Sequence, residues 1–478
     1  MKNRFVVLSA LLVAAVAIAA LLFSFNWPGR RTSGPLRHEV YVWQRAWTQP
    51  VREAVAQRAT NFAEVVPLQA EITWTDKKPE LARVAVDYPT LAKSGRPIGL
   101  ALRIGPYPGP FVPLTSRSSG RESAPSTKSE VRSLKPEADQ SRLTSAATVR
   151  REQDGVTANG EDVTAYLCDI AASLVAEARN NGVSPAELQL DFDCATSKLD
   201  GYRIWLEAIQ RRVAPLPVTI TALPSWLRSS AFKRLAQTAP NYVLQVHSVE
   251  RPASFDAPFS LCDPADAHSA VERAGRLGVP FRVALPTYGY MFAFATNGQF
   301  LGLSAEGPRR NWPAGARLRE VSSNPIELAA LLQGWTADRP AAMRGVIWYR
   351  LPVAVDNFNW RWPTLGAMLA ARVPRESFRA GTRRVEAGLV EISLVNEGEL
   401  DISSRLAVEA RWSGARLVSG DGQRGFQLVD GGSSAASFQT QNQPSRLRAG
   451  ESIVVGWLRF DRDCEVKCEA RKLVGGER

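Results

Sequence analysis

Leu188-Gln189-Leu190-Asp191-Phe192-Asp193-Cys194 is the stretch whose reading decides the fold. Successive side chains on a strand point to opposite faces, so Leu188, Leu190 and Phe192 share one face and Gln189, Asp191 and Asp193 share the other. Two carboxylates two residues apart on one face of a strand stand about 7 Å from each other. In a barrel mouth they would repel, and the pKa of one would rise. A general acid and a charged stabiliser can be made from such a pair. The bland alternative is a pair that caps the next helix.

Seven other runs have the same strand-like length and richness in Val, Ile, Leu and aromatics. They are Val40–Trp43, Val65–Ile72, Ile98–Ile104, Val218–Leu223, Tyr242–Val246, Phe281–Leu285 and Val346–Leu351. Several are separated by segments with helical periodicity, namely Val163–Arg179, Tyr202–Val213, Ala265–Leu277 and Pro325–Leu332. Near-continuous apolar strands alternating with helices predict a parallel sheet covered by helices. Eight strands close a (β/α)8 TIM-like barrel, expected over residues 38–372, a size that suits that fold. The alternative is an open doubly wound sheet, which the lack of a Gly-rich loop after the first strand disfavours.

The rest of the chain frames this barrel. Phe5–Phe25 has no charge and follows Lys2 and Arg4. A helix of that length covers roughly 31 Å, about one bilayer core, so residues 1–26 are expected to be a signal or transmembrane anchor. Residues 27–37, with Pro28, Gly29, Gly34 and Pro35, read as a linker. The expected location is the bacterial inner membrane with the body in the periplasm, or secretion if the signal is cleaved. Outside the cytoplasm a Cys464–Cys468 disulfide becomes possible, provided a turn separates the two residues. Residues 115–155 are poor in large apolar groups and are expected to be a disordered insertion. Residues 382–478 carry short strand-like runs between Gly, Asn, Asp and Ser clusters and are expected to form a β-sandwich. Val385–Leu394 is read as one of those strands.

Composition narrows the chemistry. The chain has 478 residues, with Lys+Arg 59 against Asp+Glu 47 and a formal charge of +12. The basic residues are scattered, so no nucleic-acid partner is expected. With three His, no Cys/His cluster at zinc spacing and no Gly-x-Ser-x-Gly elbow, no metal and no cofactor are expected.

Function in a barrel sits at the carboxyl ends of the strands. The candidate catalytic residues there are Asp191, Asp193 and Glu71. The candidate substrate-binding residues are Trp43, Gln44, Arg103, Gln245, His247, Tyr288, Tyr290, Trp348 and Arg350. Aromatic rings stack on sugars while Gln, Arg and Asp bond hydroxyls. A mouth lined by Trp43, Trp74, Tyr288, Tyr290, Trp348 and Tyr349 would therefore suit a polysaccharide or oligosaccharide.

LQLDFDCATSKLDGYRIWL (188–206), together with QVHS, ALPTYGY and GVIWYRLP downstream, resembles the bacterial domain-of-unknown-function family 3142 across about residues 38–372. That family is regarded as barrel-like and implies no established activity. The fourth strand is also distantly similar to the Asp-x-Asp-x-Glu signature of chitinase-like family 18 glycoside hydrolases. Asp191 and Asp193 match its two Asp, and Ala195 falls where the proton-donating Glu would stand. The resemblance thus implies either a glycoside-hydrolase-like protein acting on a cell-envelope or extracellular polysaccharide, with Asp193 or Glu71 as acid, or a non-catalytic glycan-binding or envelope-assembly protein.

Overall fold

The computed structural model describes residues 30–75, 78–114, 150–152, 160–247, 252–305, 311–440 and 445–473. The expected anchor, Phe5–Phe25, lies outside them. Among the described residues no helix is long and apolar enough to cross a membrane. The expected insertion 115–155 also lies outside them, except Arg150–Glu152. That short strand pairs antiparallel with Leu81–Arg83.

Eight strands form the centre. They are β1 (Arg37–Val42), β2 (Val65–Thr75), β3 (Ile98–Ile104), β4 (Pro185–Phe192), β5 (Val218–Ala222), β6 (Tyr242–Gln245), β7 (Phe281–Pro286) and β8 (Met343–Tyr349). Each pairs in parallel with the next. β8 pairs in parallel with β1, so the sheet closes. A closed parallel sheet has no unpaired edge, and the open-sheet alternative is excluded.

A helix follows each strand. These are α1 (Gln49–Arg58), α2 (Tyr88–Lys93), α3 (Gly160–Asn180), α4 (Leu199–Val213), α5 (Ser230–Thr238), α6 (Pro264–Gly275), α7 (Pro325–Ala337) and α8 (Trp362–Leu369). Their starts are written locally. Asp263 accepts from the amides of Ala265 and Asp266, and Asn324 from those of Ile326 and Glu327, each with proline in the first turn. α4 buries Leu199, Tyr202, Trp205, Leu206, Ile209 and Val213, one stripe at helical spacing. Phe192, on the outer face of β4, meets Trp205 at 5.2 Å between ring centroids. The apolar half of the β4 alternation thus docks the helix, and the polar half points into the barrel.

Two parts of the chain were not fully legible. Between β7 and α7 stand three antiparallel strands, Gly289–Phe294, Phe300–Ser304 and Arg317–Ser322, which form a small sheet. Its core of Tyr288, Tyr290, Phe292, Phe294 and Leu303 is its own cluster. The C-terminal part forms two four-stranded antiparallel sheets around a shared core, including Ile392, Leu394, Val408 and Phe438. There Val385–Leu394 is not one strand. It is the end of Phe378–Glu386 and most of Leu389–Asn396, paired antiparallel through a turn at Gly388. Gly388 has φ +69°, and a Cβ there would lie 2.5 Å from the carbonyl oxygen of Phe460. Cys464 and Cys468 are both free thiols packed against this core, so the possible disulfide is not formed.

The amino-terminal end of the barrel is closed by ions. Arg282 reaches Glu39 Oε2 at 2.6 Å and both oxygens of Glu187 at 2.8 Å. Thr219 donates to Glu187 at 2.7 Å, and Arg37 reaches Glu39 at 3.0 Å and Glu64 at 3.4 Å. Three carboxylates thus face two guanidiniums. Burial, then the charges of Glu187 and Glu39, push Glu64 from its ordinary 4.5 up to about 8. Its Oε1 is buried with no hydrogen-bond partner among the described residues. Between about pH 4.5 and 8 the folded chain therefore binds more protons at this site than the unfolded one, and stability falls as pH rises through that interval. Glu64→Gln should remove this loss. Urea midpoints should show the variant gaining on the wild type at about pH 9 relative to about pH 4; an unchanged difference would contradict a buried, protonated Glu64.

Candidate functional site

The opposite end of the barrel opens into a cleft enclosing about 490 Å³, open solvent at its mouth included. Its charged wall comes from β3 and β4, where Arg103, Asp191 and Asp193 stand together. Arg103 NH1 donates to Asp191 Oδ2 at 2.9 Å. Its Nε lies 3.4 Å from Glu71 Oε1 and its NH2 3.9 Å from Asp193 Oδ2. Thr221 on β5 donates to the other Asp191 oxygen at 2.9 Å. Arg45 closes on Glu71 with two nitrogens, at 2.9 and 3.2 Å. Burial opposes the charge of Arg103, but the charges of Asp191, Asp193 and Glu71 outweigh it and raise its pKa. The simple picture of two repelling aspartates is corrected here, because a guanidinium from the neighbouring strand lies against both. No alternation rule on β4 could supply it. It depends on the parallel register that sets Arg103 opposite Asp191.

The facing wall is aromatic. Trp43, Tyr288, Tyr290 and Tyr349 line it, with Tyr41 deeper. Tyr41 donates to Gln189 at 2.6 Å, which ties β1 to β4 across the interior. Small or short side chains, Thr221, Val243 and Ala284, border the cleft and leave it room. Gln245 and His247 enter from β6 and the turn after it. Tyr288 and Tyr290 arrive with the small three-stranded sheet, which therefore builds part of the mouth.

His247 Nδ1 lies 3.1 Å from the Tyr288 hydroxyl, and its ring stacks on Tyr349 at 5.5 Å. Burial lowers its pKa from 6.5 to about 3. It is a neutral hydrogen-bonding group at ordinary pH. Its ring protons should show no titration in NMR spectra between about pH 5 and about pH 8, and an inflection near 6.5 would contradict the buried placement.

Five expected residues are placed elsewhere. Trp348 is fully buried on the outer face of β8, where its indole donates to His38 at 3.1 Å and stacks on it. Tyr349, one position on, points inward instead, as alternation requires. Arg350 is buried in an ion pair with Asp356. Gln44 donates to the Leu351 carbonyl at 3.2 Å and does not line the cleft. Glu71 stands behind the wall, bound to Arg45 and Arg103. Trp74, expected in the mouth, instead packs on Tyr107 at 4.6 Å and donates to Gly105. Thr221, Val243 and Ala284 line the cleft without having been singled out as candidates. Their signal was available, since each shares the inward parity of its strand. Ala195 sits exposed at the start of the turn Thr196–Lys198. Among the described residues no group of His, Cys, Asp and Glu could hold a metal ion.

Residues 147–354 match the family model described as Domain of unknown function (DUF3142). The resemblance to that family is thus shown over this stretch. The match takes in β4 to β8 and leaves β1 to β3 outside, so it is shorter than the span read from the strand-end motifs. No curated protein matches the chain. Among solved structures, the chain is similar to the spore cortex-lytic enzyme SleL from Bacillus cereus, at 10% identity and a TM-score of 0.44, over 71% of this chain and 75% of that one. Chitinase ChiA74 from Bacillus thuringiensis gives 10% identity and 0.40, over 90% and 100%. A chitinase from Chromobacterium violaceum gives 11% and 0.41, over 70% and 98%. The barrel itself rests on the strand pairing of this chain.

Proposed function

We propose that the barrel mouth binds a saccharide chain of the cell envelope or its surroundings. The observation that carries this reading is one cleft with a carboxylate–guanidinium wall facing a wall of Trp43, Tyr288, Tyr290 and Tyr349. Hydroxyls bond the polar wall and ring faces stack on the aromatic one. Gln245 and neutral His247 would orient the sugar.

Binding without cleavage is the reading favoured here. A two-carboxylate glycosidase needs its carboxyl groups on either side of the scissile bond, roughly 5–5.5 Å apart for retention and about 6.5–9.5 Å for inversion. Asp191 and Asp193 instead lie on one wall, both against Arg103. Ala195 adds no carboxyl group. Trp43→Ala should weaken binding of oligosaccharides by roughly tenfold in calorimetry, about 1.4 kcal/mol. Failure of the full chain to bind any member of a broad glycan panel would refute the reading. Release of reducing ends that Asp193→Asn abolishes would replace binding by hydrolysis, with Asp193 as the acid and Asp191 as its electrostatic partner.

A further inference from the structure

Resting on the saccharide reading, we infer that the C-terminal domain sets the aromatic wall of the cleft without lining it. Arg446 and Arg448, on one short segment of that domain, are positioning residues. They hold the two elements that carry Tyr288, Tyr290 and Tyr349.

The segment begins with the strand Ser445–Leu447, which pairs antiparallel with Ile402–Ser404. Arg446 is fixed within its own domain by Asp401 at 3.0 Å and reaches out of it to Glu320. Glu320 lies in Arg317–Ser322, opposite Met291 in Gly289–Phe294, the strand of Tyr290. Arg448, two positions on, is buried, and its NH1 donates to the carbonyl of Asp356 at 2.9 Å. Asp356 belongs to the loop after β8. Its carboxylate accepts from the buried Arg350 and from the amide of Phe358 at 3.0 Å. A buried guanidinium is costly to desolvate, and Arg448 spends its contact on this loop.

From these contacts to the wall the path is short. The Arg350 amide donates to the Thr287 hydroxyl at 2.8 Å, and the Thr287 amide donates to the Tyr349 carbonyl at 2.8 Å. Thr287 immediately precedes Tyr288, and Arg350 immediately follows Tyr349. Gly289 stands between Tyr288 and Tyr290. A Cβ there would lie 2.5 Å from the Val321 carbonyl oxygen and 3.2 Å from that of Phe358. The small sheet and the loop thus both press on the backbone that carries the two tyrosines. Packing this close passes a displacement on rather than absorbing it. A stacking site depends on ring placement, and ring placement depends on what supports the rings from behind.

The test compares four variants of the full chain: Arg448→Met, Arg448→Lys, Glu320→Gln and Arg372→Met. Arg372 pairs with Glu399 at 2.6 Å, an ion pair of the same domain junction that touches neither the loop nor the small sheet. One readout is calorimetric affinity for the glycan that the wild type binds best. The other is the ring-proton resonances of His247 without ligand, because Tyr288 and Tyr349 stand against that ring. His268, on α6, is the internal control. Arg448→Met and Glu320→Gln should each shift the His247 resonances and weaken binding by roughly three- to tenfold. Arg448→Lys, which keeps a charged donor, should lose less, and Arg372→Met should change neither readout. Wild-type affinity with unmoved His247 resonances in Arg448→Met and Glu320→Gln would overturn the inference. Equal losses in all four variants would also overturn it, because domain docking in general would then explain them. If the full chain binds no glycan, the saccharide reading falls, and the His247 resonances alone decide whether the C-terminal domain sets the wall. Glu320 and Arg372 are partly exposed, so their variants keep the comparison even if Arg448→Met fails to fold.

Discussion

Replacing Arg282 by methionine should lower the stability of the barrel by about 3–5 kcal/mol, the usual cost of removing one partner from a buried ion pair. The guanidinium is 8% exposed and sits between Glu39 and Glu187, at 3% and 7%. Its pKa is raised because the charges of Glu187, Glu39 and Glu64 outweigh the burial that opposes it. Without it, two carboxylates remain in a space that excludes water, and Glu64 stands close by. The chain would respond by taking up protons, so the penalty should grow as pH rises. Urea unfolding at two pH values measures both effects. Arg282→Lys should lose less, because one charge stays while the paired contact to Glu187 is lost. A methionine variant as stable as the wild type at neutral pH would show that this cluster does not hold the lower barrel.

The second large effect is expected at Arg103. Arg103→Met removes the group that lies against Asp191, Asp193 and Glu71 together. Its side chain is 24% exposed, so water can partly compensate, and the stability loss should stay near 1–3 kcal/mol. The effect on the site should be larger. Asp191 would keep Thr221 but lose the contact that fixes its second oxygen. The polar wall would lose its geometry, and saccharide binding should fall by roughly a hundredfold or more, about 2.7 kcal/mol. Calorimetry with whichever glycan the wild type binds best measures this, with circular dichroism to confirm the fold. A variant that keeps full affinity would place the binding surface elsewhere.

The site was legible where its residues obey a local rule. Asp191, Asp193, Gln245 and His247 could be placed from parity on a single strand and its extension, because a strand repeats every two residues wherever it lies. Trp348 shows the limit of that rule when it is applied without a fixed starting point. Trp348 and Tyr349 are adjacent aromatics, and only one of them can face inward. The chain alone did not say which end of β8 sets the register. Arg350 shows a second limit: at a strand end a basic residue looks like a ligand-binding group until its partner, here Asp356, is known. Tyr288 and Tyr290 were recognised as candidates, but the three-stranded sheet that carries Tyr290 was not.

Determined by the sequence alone are the eight apolar strand segments and four of the helices between them, since hydrophobic period acts over a few residues; the closure of the sheet rests on the pairing of β8 with β1. Only the tertiary structure decided which inward side chains neutralise one another and which face an open mouth. Arg103 meets Asp191 across 88 positions of chain, and Arg282 meets Glu39 across 243. Such pairings follow from the register of neighbouring strands and the curvature of the whole sheet. No local pattern encodes them, because the energy of a buried charge depends on what the rest of the fold places beside it.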